Sequence, residues 1–217
     1  MHLDVKLTPH EARVFGVLVE KALTTPENFP LTLNAATNGA NQKSNREPVL
    51  SLDETEVAIA LEGLAQKHLT RKVFLEHSRV EKYTHRGGEM LNLPTPALAT
   101  LAELLMRGPQ TLGELRTRVS RMSKIESLEK MMEALHPLIE YVYAQRIDPA
   151  PGSRAERYVQ LLCPDLHPID RAPAPSSSHS AGLSERVEKL EAEVADLRFQ
   201  LEALSAKVGC EDSSSTG

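Results

Sequence analysis

The chain has no tryptophan, and only four tyrosines and four phenylalanines among its 217 residues. So few rings cannot supply the row of stacking aromatics that single-stranded nucleic acid requires. Cysteine is equally scarce: Cys163 and Cys210 lie far apart and form no CxxC pair, which excludes a disulfide framework and a zinc ribbon. No apolar run approaches the ~20 residues needed to cross a bilayer. Residues 1–6 alternate charged and apolar side chains without a secretory hydrophobic stretch, so a cytoplasmic address and no membrane partner are expected. Catalytic signatures are missing as well. The eight histidines form no HxxxH and stand near no second ligand type at metal spacing. Cys163 and His167 are four apart, but Pro164 and Pro168 interrupt any helix between them, so Cys163 reads as a buried strand-end residue. There is no P-loop, GxGxxG or GxSxG. The expectation is a non-enzymatic protein with no metal and no cofactor.

Charge of one sign is confined to one end. The net charge is -5, yet residues 1–94 carry -1, residues 95–163 carry +1, and residues 164–217 carry the full -5. The first two segments are near neutral, which neither requires nor excludes a phosphate-binding face.

Those two segments repeat one plan. Thr8-Pro9-His10-Glu11 offers an N-cap, a first-turn proline and a capping-box glutamate ahead of Phe15, Leu18, Val19 and Ala22 at helical spacing. Thr95-Pro96 opens the second copy before Leu98, Leu101 and Leu105. Second helices are expected near 32–41 and over 111–119, the latter with Thr111 and Glu114 as a capping box. Third helices are expected from Ser51 with Glu54, carrying Val57, Leu61 and Leu64 on the apolar face, and from Ser123 with Glu126, carrying Ile125, Leu128, Met132 and Leu135 there. The period then changes to alternation, which predicts hairpins of 71–75 with 79–85 and of 140–146 with 157–162. Pro149-Ala150-Pro151-Gly152 stands at the second tip. Three helices followed by a hairpin, twice over, give a mainly α fold of two tandem winged helix-turn-helix domains, residues 1–94 and 95–163.

Residues 164–182, rich in proline and serine, read as a flexible linker. Beyond it Val187, Val194, Leu201 and Val208 take heptad a positions, and Leu183, Leu190, Leu197 and Leu204 take d. The narrow stripe favours a coiled coil over residues 183–208 rather than a helix docked on its own body. A parallel homodimer would set Arg186 opposite Glu191 of the partner subunit, an attractive pairing. Residues 209–217 are expected to be a disordered tail.

From Glu20 to Leu52 the sequence EKALTTPENFPLTLNAATNGANQKSNREPVLSL resembles the YceH-like (UPF0502) family of bacterial proteins, above all at NQKSNREP, residues 41–48. SRVEKYTH at 78–85, PGSRAERYVQLL at 151–162 and the VxxLExEVAxLRxQL pattern at 187–201 extend the resemblance over most of the chain. It implies a tandem winged-helix fold and supplies no function.

Winged helices usually bind duplex DNA, with the third helix in the major groove and the wing on phosphate. Here the first third helix is acidic, with Asp53, Glu54, Glu56 and Glu62 against a lone Lys67, and the second mildly so, with Glu126, Glu129 and Glu133 against Lys124 and Lys130. Cations for phosphate must come from elsewhere. Lys43, Asn45 and Arg46 in the first copy, and Arg116, Arg118, Arg121, Arg154 and Arg157 in the second, are the candidate nucleic-acid contacts. Two functions follow, and the arginines that recur in the loop and wing of the second copy favour the first. One is a dimeric, duplex-DNA-binding protein of transcription-regulator type, contacting phosphates mainly through the second domain. The other is a protein-interaction scaffold whose acidic helices are working surfaces.

Overall fold

A computed structural model describes residues 5–74, 80–149, 152 and 154–168. The eight heptad residues Leu183 to Val208 lie outside the described residues, as does the tail 209–217. The described residues form one compact unit, mainly helical with two small antiparallel sheets among them.

In chain order the described elements are α1 (Pro9–Thr24), α2 (Leu33–Ala40), α3 (Glu54–Gln66), β1 (Thr70–Val73), β2 (Lys82–His85), α4 (Gly87–Met90), α5 (Thr95–Arg107), β3 (Gln110–Thr111), α6 (Leu112–Val119), α7 (Leu128–Glu140), β4 (Ala144–Ile147) and β5 (Arg157–Gln160). The repeat is visible in detail. Leu31 bridges Tyr83 on β2 just before α2 begins, and Gln110 pairs with Tyr158 on β5 just before α6 begins. Both third helices end on a left-handed residue, His68 and Val142, each at φ 59°. The next N–H then reaches back five residues, Leu69 to the Leu64 carbonyl at 2.9 Å and Tyr143 to that of Leu138 at 2.8 Å. These bonds satisfy carbonyls that a helix end otherwise leaves open.

Short-range signals place some helix starts as expected and shift others. Thr8 with Glu11 and Thr111 with Glu114 form complete capping boxes, and Thr32 caps α2. The third helices begin later than the sequence suggests. Asp53 with Glu56 closes the box on α3, in place of Ser51 with Glu54, and Ser127 caps α7 in place of Ser123. The cause is tertiary. Asn41 grips Leu52 through both backbone groups, at 2.7 and 2.8 Å, and holds it out of the helix. Likewise the Ile125 carbonyl accepts from Ser120 Oγ at 3.3 Å while its side chain is buried. The second copy's first helix has no side-chain cap: Pro94 occupies the N-cap and Thr95 already lies inside. We therefore expect Asp53→Ala to cost about 1 kcal/mol by urea denaturation and Ser51→Ala close to nothing. The reverse order would restore the earlier start.

The two copies share one core. α1 packs most extensively on α5, and ten consecutive residues of each, 11–20 and 97–106, are buried. The closest approach is at Gly16, where a Cβ would stand 2.9 Å from Met106 Cγ. Helices buried all round must find partners for any polar group they carry. Glu11 meets Lys67 Nζ at 2.5 Å, and Arg13 donates to the carbonyls of Ala40 and Pro48 at 3.2 and 2.6 Å.

The expected linker does not begin at Pro164. Residues 164–166 form a 3-10 turn, and Leu166 and His167 are buried in the body. His167 Nε2 lies 2.6 Å from the Glu47 carbonyl, and its ring fills the space beside Gly108, where a Cβ would come within 2.6 Å of it. Gly108 also has φ 73°, open to glycine without strain. Cys163 is buried as expected, and burial pushes its thiol up.

Candidate functional site

Two features stand out on this body: a buried ionic seam where the copies meet, and the outward faces of the third helices. The seam starts from two carboxylates inside apolar helices, Glu20 on α1 and Glu103 on α5, both inaccessible to water. The loop that follows α2 sends Arg46 onto Glu20. Arg46 Nη2 is 2.5 Å from Glu20 Oε2, and the guanidinium also donates to the Gly39 carbonyl, the Asn45 carbonyl and Gln42 Oε1. Arg121, just past α6, bridges both carboxylates, 2.5 Å from Glu20 and 3.1 Å from Glu103. Arg107 Nε stands 2.9 Å from Glu103 Oε1, and its Nη2 donates to Asn45 Oδ1. The circuit closes through Asn45 back to Arg46. Asn45 sits at φ 61°, a left-handed conformation that asparagine tolerates better than most residues.

Burial works against the Glu20 carboxylate, but the hydrogen bond and charge of Arg46, together with Arg121, outweigh it and hold its pKa below the ordinary value. Burial likewise works against charged Arg121, and Glu20 and Glu103 together lift its pKa above the usual arginine range.

The candidate phosphate contacts therefore divide. Arg46 is spent: it is buried, with every N–H direction committed inside the fold. Asn45 and Arg121 join it in the seam. Arg118, at the seam's edge, donates to Gln110 Oε1 at 2.7 Å and stands 3.5 Å from Glu114. Arg116 is exposed and makes one long bond, 3.5 Å, to the Glu126 carbonyl. Lys43 and Arg154 are exposed. Half-buried Arg157 donates across its own hairpin to the Asp148 carbonyl at 3.4 Å. The fold thus gathers Asn45, Arg46, Arg118 and Arg121 together, and holds Arg157 in its own hairpin.

The third helices present a different chemistry. On α7, Leu128, Met132 and Ile139 are 45%, 41% and 41% exposed, and Glu129, Glu133, His136 and Glu140 line the same outward surface. Val142, two residues past the end of α7, extends the apolar strip. On α3, Ile59 stands out at 69% exposure on a helix that also exposes Glu54 and Glu62. Four large apolar side chains on the two helices face water among five exposed glutamates.

Comparison with known proteins places this architecture. The family model described as "Protein of unknown function, DUF480" matches residues 7–153. A UPF0502 protein of Mesorhizobium japonicum is 46% identical over 206 residues, 91% of this chain and 96% of the relative. The UPF0502 protein YceH of Salmonella paratyphi A is 41% identical over 214 residues, 95% and 100% of the two chains. A UPF0502 protein of Shewanella halifaxensis is 43% identical over 212 residues, 92% of this chain and 99% of the relative. The chain belongs to the UPF0502 family. In this UPF0502 member the NQKSNREP stretch is the loop that carries Asn45 and Arg46 into the seam. None of its described helices is long and apolar enough to cross a membrane.

Sequence reasoning passed over Glu20, Glu103 and Arg107. A signal existed: Glu20 follows GVLV and Glu103 interrupts LATLAELLM, and a carboxylate inside an apolar helical run implies a buried cationic partner.

Proposed function

We propose that this UPF0502 member is a non-enzymatic tandem winged-helix protein that docks a protein partner on its third helices. The repeated pairing ahead of each second helix supports the winged-helix assignment: Leu31 bridges β2 as a single residue and the strand β3 pairs with β5, each on the second strand of the hairpin that follows. The observation that carries the function is the outward face of α7. A helix bound in a major groove needs cations and polar groups directed at phosphates and base edges. Glu129, Glu133 and Glu140 repel phosphate, and Leu128, Met132 and Ile139 waste exposed apolar surface unless another protein covers them. The matching partner is an apolar segment flanked by lysine or arginine. Pairing of two copies through the heptads of residues 183–208 would present this face twice and raise avidity.

The test places a photo-crosslinker at Met132 of the full chain in cells and identifies the adducts. A protein adduct whose contact segment is apolar and basic, and which is lost in Ile139→Glu, supports the proposal. Ile139 is exposed, so that change leaves the fold intact. If instead the chain binds random duplex DNA with a log–log salt slope of about -0.9 per phosphate contact, and Ile139→Glu leaves that binding unchanged, the DNA reading takes its place.

A further inference from the structure

The seam carries more positive charge than it neutralises. Arg46, Arg107 and Arg121 are set against two carboxylates, Glu20 and Glu103. Arg118 adds a fourth guanidinium beside them, paired only loosely, at 3.5 Å, with a half-exposed Glu114. Arg107 registers the imbalance: burial, opposed by Glu103, and then the charges of Arg118, Arg121 and Arg46 leave its pKa below the ordinary arginine value. Its Nε, although close to Glu103, completes no hydrogen bond, and neither does Glu103 Oε1. The excess is accessible from one side. The side chains of Arg107, Arg118 and Arg121 are 19%, 32% and 33% exposed, whereas Arg46 and both carboxylates lie behind them. Lys43, two residues before Asn45, is exposed and has no ion pair among the described residues.

We propose that the outer edge of this seam, formed by Arg107, Arg118 and Arg121, with Lys43 on the loop that Arg107 reaches through Asn45, binds the phosphoryl group of a small ligand. Guanidinium forks suit tetrahedral oxyanions because each offers parallel N–H donors, and partial burial strengthens the attraction over that in bulk water. No more than a third of each of these side chains is open to water, which favours a free phosphate or a phosphate monoester over the continuous backbone of a duplex. Binding would neutralise the excess and tie the NQKSNREP loop more firmly to α5 and the end of α6. The proposal does not depend on a partner at α7.

Calorimetric titration of the full chain with inorganic phosphate, with a nucleoside monophosphate as a second arm, tests it. Saturable one-site binding is expected, weakened about tenfold or more by Arg118→Gln, which removes one charge-assisted contact without touching the Glu20–Arg46 pair. Lys43→Gln, at an exposed loop position, should weaken it in the same direction. Phosphate should also raise the melting temperature of the parent chain more than that of Arg118→Gln. Ile139→Glu should leave all of this unchanged, which separates the seam from the α7 surface. Phosphate binding that is absent, or equal in parent and Arg118→Gln, overturns the site. Competitive displacement of phosphate by random duplex DNA, with no binding of the monophosphate, overturns the small-ligand source.

Discussion

Arg46→Ala is expected to destabilise the body by about 3–5 kcal/mol, because it removes the principal partner of a fully buried carboxylate. Across a unit of this size that corresponds to a fall in melting temperature on the order of 10 °C. Arg121 would still face Glu20 at 2.5 Å, but it is shared with Glu103. The Gly39 carbonyl, which accepts from Arg46 at 3.0 and 3.1 Å, would also lose its donor. The neutral pair Glu20→Met with Arg46→Met should recover a large part of the loss, since a buried ion pair and an apolar pair of similar volume often come out level. Denaturant melts of the single and double variants check this. A loss below about 1 kcal/mol for Arg46→Ala would place Arg46 among ordinary surface ion pairs and remove the seam from the fold's energetics.

The seam also marks what the sequence could and could not tell. Local chemistry was legible: the capping boxes at Thr8 and Thr111, the helical period through Phe15, Leu18 and Val19, and the hairpin after each third helix all follow from neighbours within four residues. The displaced starts of α3 and α7 show where that stops. SLDETE contains two overlapping capping boxes, and the grip of Asn41 on Leu52, eleven residues away, decides between them. Arg46 is the same lesson at longer range. Nothing within NQKSNREP distinguishes a buried arginine from a solvated one, since its partner Glu20 lies 26 residues upstream and the second bridge, Arg121, lies in the other copy. An arginine that its neighbours present as a phosphate contact has its charge consumed inside the fold. The converse inference needs the structure, which exposes Leu128 and Met132 although their spacing reads as part of the apolar face. Exposed Met132 and Ile139 on an acidic helix weigh against DNA once the structure shows which face is bare, and periodicity alone could not separate that face from the core face of Met131, Leu135 and Leu138.

Acid is expected to unfold the body well before its carboxylates titrate fully, and two histidines carry much of the effect. His167 is buried, and burial lowers its pKa to about 4; the Glu47 carbonyl opposes that shift weakly and the charge of Arg13 adds to it. His85 is lowered to about 4 by burial as well. Its ring lies against Phe29 and Phe15, and its Nδ1 accepts from Gly87 N–H at 3.3 Å. Both imidazoles are neutral in the folded protein at pH 7, whereas in the unfolded chain they protonate near pH 6.5. The folded state therefore binds fewer protons between those values, so the stabilisation is complete above about pH 6.5 and is lost as the pH falls toward 4. A folded pKa near 4 means that protonating either ring costs the folded state on the order of 3 kcal/mol by pH 4, a large fraction of an ordinary domain's stability. Below pH 4.5 the depressed pKa of Glu20 adds a loss in the same direction. Guanidinium melts at pH 7, 5.5 and 4.5 should show the midpoint falling steeply across this window. His167→Gln with His85→Asn, which keep the donor toward Glu47 and the acceptor toward Gly87, should flatten that fall even if they lower stability at pH 7. A slope that survives both substitutions would assign the acid response to the carboxylates of the seam instead.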